Sequence, residues 1–149
     1  MQPIAQNPAF LAYAVSLIVL CLNMLLLWAY SGAARGKTKT TPNEEDARTV
    51  ASGAKVVDLD PPEVARVLRA HRNATANIVP FAILGLVYVL AGGSGTSAAV
   101  LFGTFTVARI AHSFAYLNAK QPWRTGSFVL GAVATLALMG MLVKTLVAA

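Results

Sequence analysis

The residues best suited to chemistry in this chain are cations, amides and hydroxyls set at helical spacing. In ARIAHSFAY, Arg109, His112, Ser113 and Tyr116 stand at i, i+3, i+4 and i+7, so one helix face carries all four. In RAHRNATAN, Arg69, Asn73 and Asn77 recur at i, i+4 and i+8, with Arg72 beside them. A third group, Pro122-Trp123-Arg124-Thr125, suits a helix start: Pro122 fits the first turn, and Arg124 and Thr125 join the free amides and the positive dipole end. Guanidinium groups, amides and a helix N-terminus together hold anions. Positive charge with a nearby hydroxyl donor also favours ionisation of a thiol.

Arg109 carries the sharpest constraint. An arginine at the centre of a membrane helix costs about 2.5–3.5 kcal/mol on insertion scales, so it must face a protein interior or a wet cavity and find a partner. All six acidic residues lie between Glu44 and Glu63, outside every apolar run. Either a loop carboxylate reaches Arg109 or an external anion answers it, and the second is the more interesting expectation. For Arg69, Arg72, Asn73 and Asn77 the plainer reading is contact with lipid headgroups, although amides entering a bilayer need partners of their own. His71, His112 and the single Cys21 are too few for a structural zinc site, so no metal is expected, and Cys21 cannot form an intramolecular disulfide. GGSGTS lacks the Gly-Lys-Ser/Thr ending of a phosphate loop and reads as a turn.

The elements that would position these residues follow from hydropathy. The chain has 149 residues, of which 56% are hydrophobic and 12% charged, the latter about half the usual share of a soluble domain. Apolar runs at about 10–30, 74–91, 98–117 and 123–147 are each long enough to cross a hydrocarbon core of roughly 30 Å. The first is longer than a signal-peptide core and has no basic residue before it, so it reads as an uncleaved span. The expectation is an all-α integral membrane four-helix bundle, a single domain over 1–149, with a polar loop at 31–62 and a helix extension at 63–73. Asp60-Pro61-Pro62-Glu63 reads as the start of that extension, with Asp60 as its cap and Glu63 completing a capping box.

Basic residues crowd the loops at 31–62 and 118–122 and the extension, while the 92–97 turn has none. The positive-inside rule then makes those loops cytoplasmic and places both termini outside; in a bacterial cell the membrane would be the inner one. The net charge of +6 is explained by this topology, so membrane lipid is an expected partner and nucleic acid is not.

The stretches VARVLRAHRNATANIVPFAILGLVYVLAG and FTVARIAHSFAYLNAKQPWRTGSF, with the ARGKTKTTPNEEDA loop, resemble the membrane-associated proteins in eicosanoid and glutathione metabolism, and among them most resemble the prostaglandin E synthase members. The resemblance implies a homotrimer that binds glutathione between subunits near the cytoplasmic face and acts on a lipophilic small-molecule substrate arriving from the membrane. Carried onto this chain, it implies glutathione contacts from Arg35, Arg72, Arg109 and Arg124, with Asn73, His112, Ser113 and Tyr116 lining the site. Thr125 falls where the family has a serine that activates the thiol, and Asp46 where a loop aspartate works with the arginine corresponding to Arg124. The chain departs at Ala76, where the family usually has a glutamate that meets the glutathione ammonium, and at Phe128, where the prostaglandin enzyme has a tyrosine. Asn77, or Glu44, Glu45 or Asp46 of a neighbouring subunit, could supply the missing acceptor.

The reading that follows is a glutathione-dependent membrane enzyme, a transferase, peroxidase or prostaglandin E synthase-like isomerase. A non-catalytic lipid-binding scaffold of the same fold and a small anion transporter anchored on Arg109 are the alternatives; the transporter would need polar residues continuing to the outer face.

Overall fold

The computed structural model describes residues 4–148. A short 3-10 turn, Ile4–Gln6, precedes α1, Pro8–Thr38; then come β1, Thr40–Thr41, α2, Glu44–Arg48, and β2, Lys55–Val56. Three long helices complete the chain: α3, Pro62–Leu90, α4, Gly95–Leu117, and α5, Gln121–Val147. Among the described residues, α1, α3, α4 and α5 are long and apolar enough to span a membrane.

Asn7 starts α1 by accepting the amides of Ala9 at 2.8 Å and Phe10 at 3.4 Å, with Pro8 in the first turn. The helix does not stop near Tyr30, where the apolar run ends; it continues to Thr38 and closes on Lys39, whose φ is 49°. Packing explains the extension despite Gly32 and Gly36, since Ala34 is buried against Val64 and Val67 of α3. The following segment is ordered as well: β1 and β2 pair in parallel, Thr40 with Lys55 and Thr41 with Val56, around α2. The capping expected of Asp60 is not found. α3 begins after Pro61 without a side-chain cap, and Asp60 faces Arg35 instead.

Pro80 lies within α3 without ending it. α3 stops in a glycine turn: the amide of Gly92, at φ 80°, donates to the Val89 carbonyl and that of Gly93 to Tyr88. α3 and α4 touch each other and both outer helices, whereas α1 and α5 do not meet. The hydropathy gradient agrees with that order. The most apolar window of α1 averages 2.5 and is 11% buried, while that of α4 averages 1.3 and is 50% buried. The polar helix is therefore the inner one, as a low-dielectric surround requires.

Aromatic rings fill the middle of the bundle. Phe81 of α3 stacks on Phe105 of α4 with centroids 3.6 Å apart, and Phe102 meets Tyr13, Phe81 and Tyr88 edge-on. Gly85 makes room for this, since a Cβ there would stand 3.0 Å from the Phe102 ring and 3.1 Å from Tyr13. This packed layer separates two polar ends.

Candidate functional site

At the basic end, α4 turns one face inward. Arg109, His112 and Ser113 are buried and Tyr116 half-buried, as their spacing requires. From Arg109 to Tyr116 the helix rises about 10 Å, so the face runs from hydrocarbon depth toward the loop.

Arg109 has no solvent exposure. One guanidinium nitrogen donates to Asn73 Oδ1 of α3 at 2.9 Å; Nε and Nη1 have no partner among the described residues. No loop carboxylate reaches it. On the other side its stem passes Gly131 of α5, where an added Cβ would stand 3.6 Å from Cδ. Arg109 thus threads between α3 and α5, tied by a single neutral acceptor. Donors left over in such a place hold an anion or a carbonyl, because a buried unsatisfied donor costs on the order of 1–3 kcal/mol.

His112 adds a second link. Its Nδ1 lies 3.0 Å from the Arg124 carbonyl, and since a carbonyl only accepts, Nδ1 carries the hydrogen. In the neutral ring Nε2 is then an acceptor, and it is buried without a partner among the described residues. Tyr116, one turn on, lies edge-on to His112 at 5.7 Å and carries the Arg124 guanidinium over its ring at 4.8 Å. Phe128 flanks the imidazole at 6.0 Å. Pro122 occupies the first turn of α5, as expected, so Arg124 and Thr125 stand at a helix N-terminus. Thr125 is exposed, in contact with Gln121 at 3.5 Å.

Two linked sets result, Asn73 with Arg109 between α3 and α4, and His112, Tyr116 and Arg124 between α4 and α5, with Arg109 and His112 one turn apart on the same face of α4. Ser113 accepts from Asn23 Nδ2 of α1 at 3.1 Å, tying the fourth long helix to that face. Sequence reasoning passed over Asn23. The signal was a lone amide in an uncharged span, a residue type that must find a partner in hydrocarbon.

Other residues lie apart. Arg72 is exposed on α3 beside the network. Asn77 donates back to the Asn73 carbonyl at 2.8 Å, which leaves its own side-chain oxygen available. Arg35 Nη1 lies 2.7 Å from Asp60 Oδ1, an ion pair whose angle does not make it a hydrogen bond. Asp46 accepts from Asn43 at 3.0 Å and Thr41 at 3.4 Å. Arg35 and Asp46 line a separate cleft of about 580 Å³ with Lys39 and the β1–β2 loop. α2 does not reach α5, so Asp46 does not meet Arg124.

Residues 11–144 match the sequence pattern of the MAPEG family. Microsomal glutathione S-transferase 1 of Homo sapiens is 34% identical over 145 residues, 95% of this chain and 94% of that protein. Its counterpart from Sus scrofa is 35% identical over 143 residues, 94% and 92% of the two chains. Prostaglandin E synthase of Homo sapiens is 34% identical over 128 residues, 85% and 83%. The leaning toward prostaglandin E synthase is thus too narrow, since transferases match equally well over more of the chain. With four spanning helices and a family match across nearly its whole length, the chain is an integral membrane protein of the MAPEG family.

Proposed function

We propose that this protein is a glutathione-dependent membrane enzyme that conjugates the glutathione thiol to lipophilic electrophiles. The observation that carries the reading is the pair of linked sets Asn73–Arg109 and His112–Tyr116–Arg124, one helical turn apart on α4, rich in donors and without a carboxylate. Glutathione has two carboxylates to offer such donors and a thiol that reacts as thiolate. Arg124, at the α5 N-terminus, would stabilise the thiolate, with Thr125 donating a hydrogen bond to the sulfur. The thiolate attacks the electrophilic carbon, a C–S bond forms, and the leaving group departs with its electron pair. Transfer is favoured over endoperoxide isomerisation by the wider coverage of the transferase relatives and by Phe128 in place of a tyrosine.

The open side of the network supports a shared site. Arg72, Ala76 and Thr125 are all exposed on a single subunit. A second copy packed there would cover them and bring its Arg35, at the end of α1, and its Asp46, on α2, toward Arg124, in a homotrimer. For the glutathione ammonium, two acceptors stand where a glutamate is missing: the Asn77 side-chain oxygen, and the Ala76 carbonyl, to which Pro80 has no N–H to give.

The test is conjugation of 1-chloro-2,4-dinitrobenzene by the purified protein, with its detergent-corrected mass. Glutathione-dependent release of chloride from a particle of three subunits is expected. A particle of one subunit would remove the shared site, and binding of glutathione without turnover would favour a scaffold.

A further inference from the structure

The opposite end of the bundle has a polar notch that the glutathione reading does not use. It lies where the C-terminus of α3, the N-terminus of α4 and the C-terminus of α5 meet, has a volume of about 560 Å³, and is lined by Tyr88, Ser94, Ser97, Met141, Lys144 and Thr145 among others.

Three independent features there offer donors. The first is the start of α4, where Ser94 makes no side-chain cap and the first turn has no acidic residue, so the leading amides keep their capacity for an anion. The second is Lys144. Every other Lys and Arg lies in or beside the loops of the basic end or, for Arg109, inside the bundle; Lys144 alone stands at this end, and no described carboxylate pairs with it. The third is Tyr88, which is fully buried, lines the notch, and has a hydroxyl with no hydrogen-bond partner among the described residues. The ring is held edge-on to Phe102 at 6.4 Å and against Gly93, where a Cβ would collide with it. A buried hydroxyl left without an acceptor is destabilising, and an acceptor in the notch would relieve that.

Amides, an ammonium, a phenol and the Ser94 and Ser97 hydroxyls make a donor-rich set suited to phosphate oxygens. The notch opens at the rim of a bundle whose neighbouring positions Val87, Leu90 and Val143 are exposed and apolar. We propose that it binds the phosphate of a membrane phospholipid, whose acyl chains lie along these helices, and so anchors the end of the protein remote from the glutathione network. The plainer role of Lys144, complementing the dipole of the last turn of α5, predicts no lipid dependence.

The experiment follows the thermal stability of the purified protein in detergent during titration with dihexanoylphosphatidylglycerol, with inorganic phosphate and with dihexanoylglycerol. The phospholipid should raise the Tm saturably and the diglyceride should not. Lys144→Ala should shift the phospholipid midpoint by about tenfold, Lys144→Arg should restore it, and Tyr88→Phe should weaken it several-fold. Arg124→Ala should leave that midpoint unchanged, which separates this notch from the glutathione reading. Midpoints in Lys144→Ala and Tyr88→Phe equal to the unaltered protein's would overturn the proposal, as would equal stabilisation by the diglyceride. Stabilisation by inorganic phosphate at the same midpoint would overturn the lipid source and assign the notch to free phosphate.

Discussion

The two ends of the bundle solve the same electrostatic problem differently. Each has the N-terminus of a long helix and buried polar atoms without partners: Arg109 and His112 at the basic end, Tyr88 at the other. At the basic end the polar groups are linked across four helices, with Asn23, Asn73, Ser113 and Arg124 each answering a residue on another segment. At the far end Tyr88 is fixed only by packing, and Lys144 stands alone in its turn. A linked network fixes several donors at once and suits positioning a reactive molecule, whereas isolated donors on a packed wall suit holding a headgroup.

The largest effect that would break this contrast is at Arg124. Arg124→Ala should lower conjugation by about 10²-fold, the usual loss when a group stabilising developing or reacting charge is removed, with little change in Tm. A steady-state assay beside a melting curve reads both, and equal small effects would return Arg124 to an interfacial role. Asn73→Ala should act in the other direction, on the fold. By taking away the single acceptor of buried Arg109 it should cost roughly 2–3 kcal/mol, and Asn73→Leu with Arg109→Met should cost less than the two single changes combined, as a double-mutant cycle in denaturant would read.

At the far end, Gly93→Ala would drive a methyl into the Tyr88 ring and should cost about 1–3 kcal/mol in the same melts while leaving glutathione affinity intact. Ala76→Glu sharpens the basic end instead. Ala76 is exposed on the single chain and faces the proposed shared site, so a carboxylate there would meet the glutathione ammonium, and the Kd for glutathione should fall by about tenfold, measured by calorimetry. The smallest effect is expected at Ser113→Ala, which strips the Asn23 amide of its partner and should cost about 1 kcal/mol of stability.

Much of this was legible in the sequence. The four apolar runs, the inward face of Arg109, His112, Ser113 and Tyr116, and the helix start at Pro122 follow from spacing and from the cost of charge in hydrocarbon, and these are local or one-helix properties. What escaped depends on partners in other segments. The continuation of α1 through Ser31–Thr38 comes from Ala34 packing on α3, which overrides two glycines. Asp60 was expected to cap α3 and pairs with Arg35 because the end of α1 lies close by. Asn23 could be flagged as a polar residue in need of a partner, but that the partner is Ser113 is a fact of helix packing. Arg35 and Asp46 entered through family resemblance, and the structure keeps them in their own cleft.

Glutathione binding at the basic end is read by calorimetric titration of glutathione into the purified protein, unaltered and as Arg124→Ala. Saturable binding that weakens by about tenfold or more in the variant is the predicted result; no heat of binding to the unaltered protein at millimolar glutathione, or the same isotherm for both proteins, would contradict it.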